Sequence, residues 1–179
     1  MAILYTSVAT TTVQNTTTET SLLGTPLVMP ADSLAPKSTL RFTMWGDYET
    51  IAVPGTLRIR FTVTNGGGTT TILDSGARTL PALGTGHNFE LAIHYTQRTA
   101  AGGSADARAA GHVDLWTSET AAEPWELPIF TSGSTTTTVE NTYDITAQFS
   151  TADVTNNINN IITVIEIVTG AYRSRWRWR

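Results

Sequence analysis

Residues Thr56 to Thr64 alternate without a break: Leu57, Ile59, Phe61 and Val63 are large and apolar, while the residues between them are threonine or arginine. A period of two matches an extended strand, whose successive side chains point to opposite faces. One face then belongs to a core and the other to water. The pattern returns in Leu40, Phe42 and Met44 set against Arg41, Thr43 and Trp45, and in Phe89, Leu91, Ile93 and Tyr95 set against Glu90, Ala92, His94 and Thr96. It returns again in Ala109 to Trp116 and in Tyr143 to Phe149. No stretch repeats convincingly at 3.6 residues. The chain therefore reads as all-β.

Turn chemistry separates these runs. Asn65-Gly66-Gly67-Gly68 is a hairpin signature, and Ala101-Gly102-Gly103-Ser104 closes a second hairpin. Pro54-Gly55, Leu83 to Gly86 and Ser132 to Ser134 mark further connections, and Ser150 to Asn156 suits one helical turn capped by Ser150. About eight or nine strands in 179 residues predict a single antiparallel β-sandwich or jelly roll. Its expected parts are an N-terminal arm or first strand over 1–14, a jelly-roll domain over 15–169, and a C-terminal arm over 170–179.

Composition agrees. Only 15% of residues are charged, against about 25% in ordinary domains, and threonine, which favours extended backbone, keeps the outer faces wet. There is no cysteine, so neither disulfides nor thiolate metal sites are available. The first residues lack the basic and apolar regions of a signal peptide. No apolar run approaches the roughly 20 residues of a membrane helix.

The strand at Asn160 to Val168 departs from the pattern. Ile161, Ile165 and Ile167 are assigned to one face, Ile162, Val164 and Val168 to the other. Such a strand is covered on both sides or meets another subunit, and the second reading is preferred because antiparallel sheets usually keep one polar face.

Charge is uneven. Arg173, Arg175, Arg177 and Arg179 lie in the last segment, and without them the formal charge goes from −4 to −8. When extended, the tail sets these four against Ser174, Trp176 and Trp178, after Tyr172. Such a ribbon suits docking into an apolar groove beside carboxylates. Arginine with tryptophan also suits nucleic acid or lipid, but the acidic body counts against both, and neither partner is expected.

Residue patterns that carry chemistry are few. Familiar nucleophile elbows, phosphate loops and zinc motifs are absent, so the chain reads as a non-enzyme without a cofactor. A hairpin centred near residue 103 would set His94 opposite His112, with Asp114 opposite Ala92. Two histidines and a carboxylate make a candidate metal set, but a polar outer face on which they happen to be neighbours is the preferred reading, and no metal is expected. Asp47 and Glu49, and Glu119, Glu123 and Glu126, read as solvated charges, with calcium at the first pair and glycoside hydrolysis by the others as the sharper alternatives. Trp45, Trp116 and Trp125 fall at outward or loop positions. They suit either a sugar-stacking platform or, preferably, a subunit contact that buries several indoles together.

Several segments carry a family likeness. They are Asn15 to Thr25 with Ser21-Leu22-Leu23-Gly24-Thr25, then Met29 to Leu34, Ser38 to Gly46, Leu57 to Phe61 and Asn141 to Phe149. Over Asn15 to Val168 the chain resembles small jelly-roll virion proteins of tailed bacteriophages, with Asn15 to Thr25 matching their first strand. In broader shape it is similar to trimeric jelly rolls of the tumour-necrosis-factor and complement type. The resemblance implies a capsid decoration or cement protein, a head fibre or a tail-tip component. It implies a homotrimer, a major capsid or other virion protein as partner, and location on the virion. A receptor- or glycan-binding module of a fibre is the alternative. No catalytic residue carries over, and the arginine–tryptophan tail lies outside the likeness.

Overall fold

A computed structural model describes residues 2–82, 86–98, 105–118, 121–130 and 134–168, with backbone only at 105, 106, 117, 118, 121–126, 128–130, 134 and 135. Among these residues there are fourteen strands and no helix. The first seven are β1 (Ala2–Ser7), β2 (Thr11–Gln14), β3 (Thr20–Ser21), β4 (Leu27–Met29), β5 (Thr39–Glu49), β6 (Thr56–Asn65) and β7 (Gly68–Asp74). Then come β8 (Arg78–Thr79), β9 (His87–Gln97), β10 (Ala105–Ser118), β11 (Ala121–Phe130), β12 (Ser134–Thr135), β13 (Asn141–Phe149) and β14 (Asn157–Val168). Eight are seven residues or longer, and β5, β6, β9, β10 and β13 among them are the strands whose alternation is plain in the sequence.

Two antiparallel sheets form the sandwich. The larger runs β1-β14-β5-β9-β10-β11, with β2 extending the β14 edge and β12 pairing β10. The smaller runs β3-β13-β6-β7, with β4 on β13 and β8 on β6. The alternating hydrophobes meet between them. Phe42 and Tyr95 from the larger sheet pack on Phe61 and Tyr143 from the smaller, the last two stacked at 6.1 Å with planes 18° apart. Each of these rings is fully buried, so each removes about 150–250 Å² from water. Burial pushes the Tyr143 hydroxyl well above its ordinary range, so it stays protonated as a partner of Tyr95.

The Asn65 to Gly68 segment is a two-residue hairpin, with Asn65 paired to Gly68 and the Asn65 Oδ1 accepting from the Gly67 amide at 2.9 Å. Residues 2–7 and 11–14 are strand, since β1 and β2 pair β14 on the edge away from β5. Other expectations change. Within Asn15 to Thr25 only Thr20–Ser21 is strand, and Asn15 turns the chain at a φ of 49°. Ser150 accepts from the Thr56 amide instead of capping a helix, and Asp153 to Asn156 is a turn.

Candidate functional site

The outer face of the larger sheet collects the side chains that the alternation turns away from the core. Cross-strand register arranges them in rows. Ile162 of β14 stands opposite Trp45, Trp45 opposite Glu90, and Glu90 opposite Asp114. The next row is Val164, Thr43, Ala92 and His112, and the one after it Glu166, Arg41, His94 and Ala110. Val168, Thr39, Thr96 and Arg108 follow.

A bulge in β14 shapes one end of this face. Ile158 and Asn160 point inward, but the pairing with β5 slips between Asn160 and Ile162, and from there Thr163 and Ile165 are the buried residues. The extra residue is Ile161, so two successive isoleucines turn outward, 36% and 40% exposed. Neither pairs with β1 or β2, since Thr163 faces Ser7 and Asn160 faces Thr11. Buried Asn160 holds the kink: its Nδ2 donates to the Leu22 carbonyl at 2.8 Å and to Thr163 Oγ1 at 2.7 Å. The sequence reading that placed Ile161 with Ile165 and Ile167 is corrected by this slip. It reverses parity within the strand.

Beside the bulge lies an open groove of about 340 Å³, lined by Trp45, Gly46, Asn88, Phe89, Trp116, Ile161 and Ile162. Trp45 is 37% exposed, and Trp116 closes the far side from β10, its carbonyl accepting from the Tyr48 hydroxyl at 2.9 Å. Two of the three tryptophans singled out from sequence thus share one groove. Trp125 sits in β11 opposite Val113, and its side chain lies outside the described residues. Outside them also fall residues 172–179 of the tail, Glu119, and the side chains of Glu123 and Glu126. Below the groove Asn159 Nδ2 donates to Asp47 Oδ1 at 2.6 Å and Asn157 Nδ2 to Glu49 Oε2 at 3.1 Å, so both carboxylates are engaged by amides.

The β9–β10 hairpin is centred near 102, one residue earlier than expected. His94 therefore faces Ala110, and His112 faces Ala92. The two histidines border a dimple of about 180 Å³ floored by Ala92, Ala110 and Gly111. His112 Nε2 lies 3.9 Å from Asp114 Oδ2. Burial, then the Arg41 guanidinium, then His112 hold the His94 pKa below the ordinary value, so the ring is neutral near pH 7. Arg41 itself pairs with Glu166 at 3.5 Å. Among the described residues no three of His, Asp and Glu converge as a metal set. Gly111 lets the strands close here, because a Cβ would meet the Ala92 carbonyl at 2.8 Å.

No family model and no curated protein matches this chain. Solved structures similar to it include a protein of unknown function from Shewanella oneidensis MR-1, at 13% identity over 84% of this chain and 71% of that one, with a TM-score of 0.35. The alginate lyase Aly36B is similar at 9% identity over 88% and 79%, with a TM-score of 0.34. The alginate lyase from Klebsiella pneumoniae is similar at 9% over 78% and 62%, with a TM-score of 0.30. These likenesses concern the fold and transfer no activity. They do correct one reading. The absence of familiar motifs reads as a non-enzyme, yet enzymes stand among the chains of similar architecture, so that reading is withdrawn.

Proposed function

We propose that this chain is a structural protein of a bacteriophage virion, bound as a homotrimer to the capsid surface in the manner of a decoration or cement protein. The observation that carries the reading is the concentration of apolar surface at one end of the outer face. Trp45, Ile161 and Ile162 are exposed together beside Trp116, with Val164 next along β14 and Val168 beyond Glu166. Soluble domains seldom leave such surface uncovered unless something docks there. The likeness of Asn15 to Val168 to small jelly-roll virion proteins supports the choice of partner, a major capsid protein.

The test is cryo-electron microscopy of the native particle together with a particle-binding assay of Ile162→Glu. Density on the capsid, and binding lost by a variant that keeps its far-ultraviolet spectrum, support the reading. Full binding by the variant, or no density on the head, overturns it.

The pairing of two indoles across one groove, with the amide of Asn88 at its edge, favours a second reading: a receptor- or glycan-binding module of a fibre. A glycan array probed with the intact chain checks this, and silence there removes it.

A further inference from the structure

We propose that the dimple between His94 and His112 binds a tetrahedral oxyanion, a sulfate or phosphate group, held by the two imidazoles and flanked by the guanidiniums of Arg41 and Arg108. The site lies on the outer face of the larger sheet, two rows along from Trp45. It shares no lining residue with the apolar groove and does not rest on what docks there.

Strand register builds the cavity. His94 faces Ala110 and His112 faces Ala92, so the imidazoles stand on a diagonal of the β9–β10 pair, where residues are about 7–8 Å apart. The other two corners are alanines and Gly111 lies between them, so nothing bulky fills the middle. What remains is a hollow of about 180 Å³ that opens to solvent, room for a group carrying several oxygens. Among the described residues neither imidazole has a hydrogen-bond partner, and Asp114 approaches His112 only to 3.9 Å, beyond hydrogen-bonding distance. Both rings are therefore free to donate to a ligand placed between them.

Charge selects the ligand. Arg41 stands opposite His94 on β5, and Arg108 precedes Ala110 on the same face of β10, opposite Thr96. Arg41 is 44% exposed and reaches Glu166 only at 3.5 Å, while among the described residues no carboxylate engages Arg108. A metal cation is repelled by two guanidiniums, whereas an oxyanion finds in each a fork of donors. The acids around the dimple are Glu166 beyond Arg41, Asp114 beside His112, Glu90 beyond Ala92, and Glu126, which β11 sets opposite His112 by backbone register. Arg98 follows the end of β9. These acids offset the arginines while the imidazoles are neutral, and each proton an imidazole takes up adds positive charge to the rim. His94 resists its proton through burial, then Arg41, then His112. An anion between the rings counters the two repulsions, so anion and proton favour each other and occupancy rises as pH falls through the His94 titration.

NMR of the imidazole protons reads the site directly, with His87 as internal control because its ring lies against Tyr48 instead. The full chain is titrated with sodium sulfate at about pH 5.5 and about pH 7.5, with sodium chloride holding the ionic strength constant. The expected result is a saturable shift of His94 and His112 but not of His87, with apparent affinity about fivefold or more tighter at the lower pH. Arg108→Gln and, separately, His112→Gln should each weaken binding several-fold while the His87 signal stays in place. Shifts that do not saturate, shifts shared equally by His87, or an affinity indifferent to pH or to Arg108→Gln overturn the site. Methyl sulfate forms a second arm. Binding as tight as that of sulfate supports an ester group on a larger molecule as the ligand, and weaker binding supports the free anion.

Discussion

The backbone carbonyl oxygen of Asn159 occupies the space that a β-carbon on Gly46 would need, only 1.8 Å from its ideal position. The same carbon would stand 2.7 Å from the Phe89 ring. β14 therefore crosses β5 at closest approach just before its bulge, and only glycine permits it. This contact fixes the floor of the groove, because Gly46, Phe89 and the isoleucines after Asn159 all line it.

Gly46→Ala is expected to cost about 3 kcal/mol or more, the upper range for forcing atoms into a packed interior, since the obstructing atom is backbone and cannot rotate away. Urea denaturation of the variant beside the parent chain measures the cost. An unchanged midpoint would show that β14 does not approach β5 as described.

Asn160→Ala should destabilise by roughly 1–3 kcal/mol, because it leaves the buried Leu22 carbonyl without its 2.8 Å donor and releases Thr163. Thr163→Val removes only the second contact and should cost clearly less. Equal losses in denaturation midpoint would refute the assignment of the bulge to Asn160.

On the other face, Asp74 accepts from Arg58 Nε at 2.8 Å and from the Gly76 amide at 2.8 Å. The Arg58 hydrogen bond chiefly, with help from Gly76 and Arg60, lowers its pKa to about 2 from 3.8. A depressed carboxylate stabilises the fold above its unfolded value, and that contribution is lost as pH falls from about 4 through about 2. Arg58 is substantially exposed, so screening holds the effect to about 1 kcal/mol or less. Thermal melts of Asp74→Asn should therefore show a weaker decline over that interval than the parent.

His94 adds a second loss on the acid side, at higher pH than that of Asp74. Its pKa lies below 6.5, from burial, then Arg41, then His112, so the unfolded chain binds a proton that the folded chain resists. Stability is complete above 6.5 and declines as pH falls below it. His94→Gln should flatten the slope between pH 7 and pH 5. Arg41→Gln should raise the His94 titration midpoint measured by NMR, and an unmoved midpoint would remove Arg41 from the list of causes.

How much was legible varies by residue. Leu57, Ile59, Phe61 and Val63 announce a half-buried strand by spacing alone, and Asn65 to Gly68 announces its turn, because period and turn chemistry are local properties. Trp45 and Trp116 were recognisable as outward indoles, but their meeting was not, since it needs β9 to lie between β5 and β10 with register fixed. His94 and His112 show the limit most sharply. A hairpin centre displaced by one residue moves the pairing by two, so His94 faces Ala110.

The sequence by itself determined that this chain is a sandwich of antiparallel strands, because alternation dictates which side chains must leave water. It also determined the cationic, tryptophan-bearing end and the acidic body. Tertiary structure alone decided where the outer face becomes a groove. Ile161 and Ile162 read as residues of opposite faces until β14 is paired with β5. There the carbonyl of Asn159 over Gly46 and the amide of Asn160 on Thr163 force an extra residue into the strand and turn both isoleucines outward. A bulge belongs to the pairing of two strands, so no single stretch of sequence contains it.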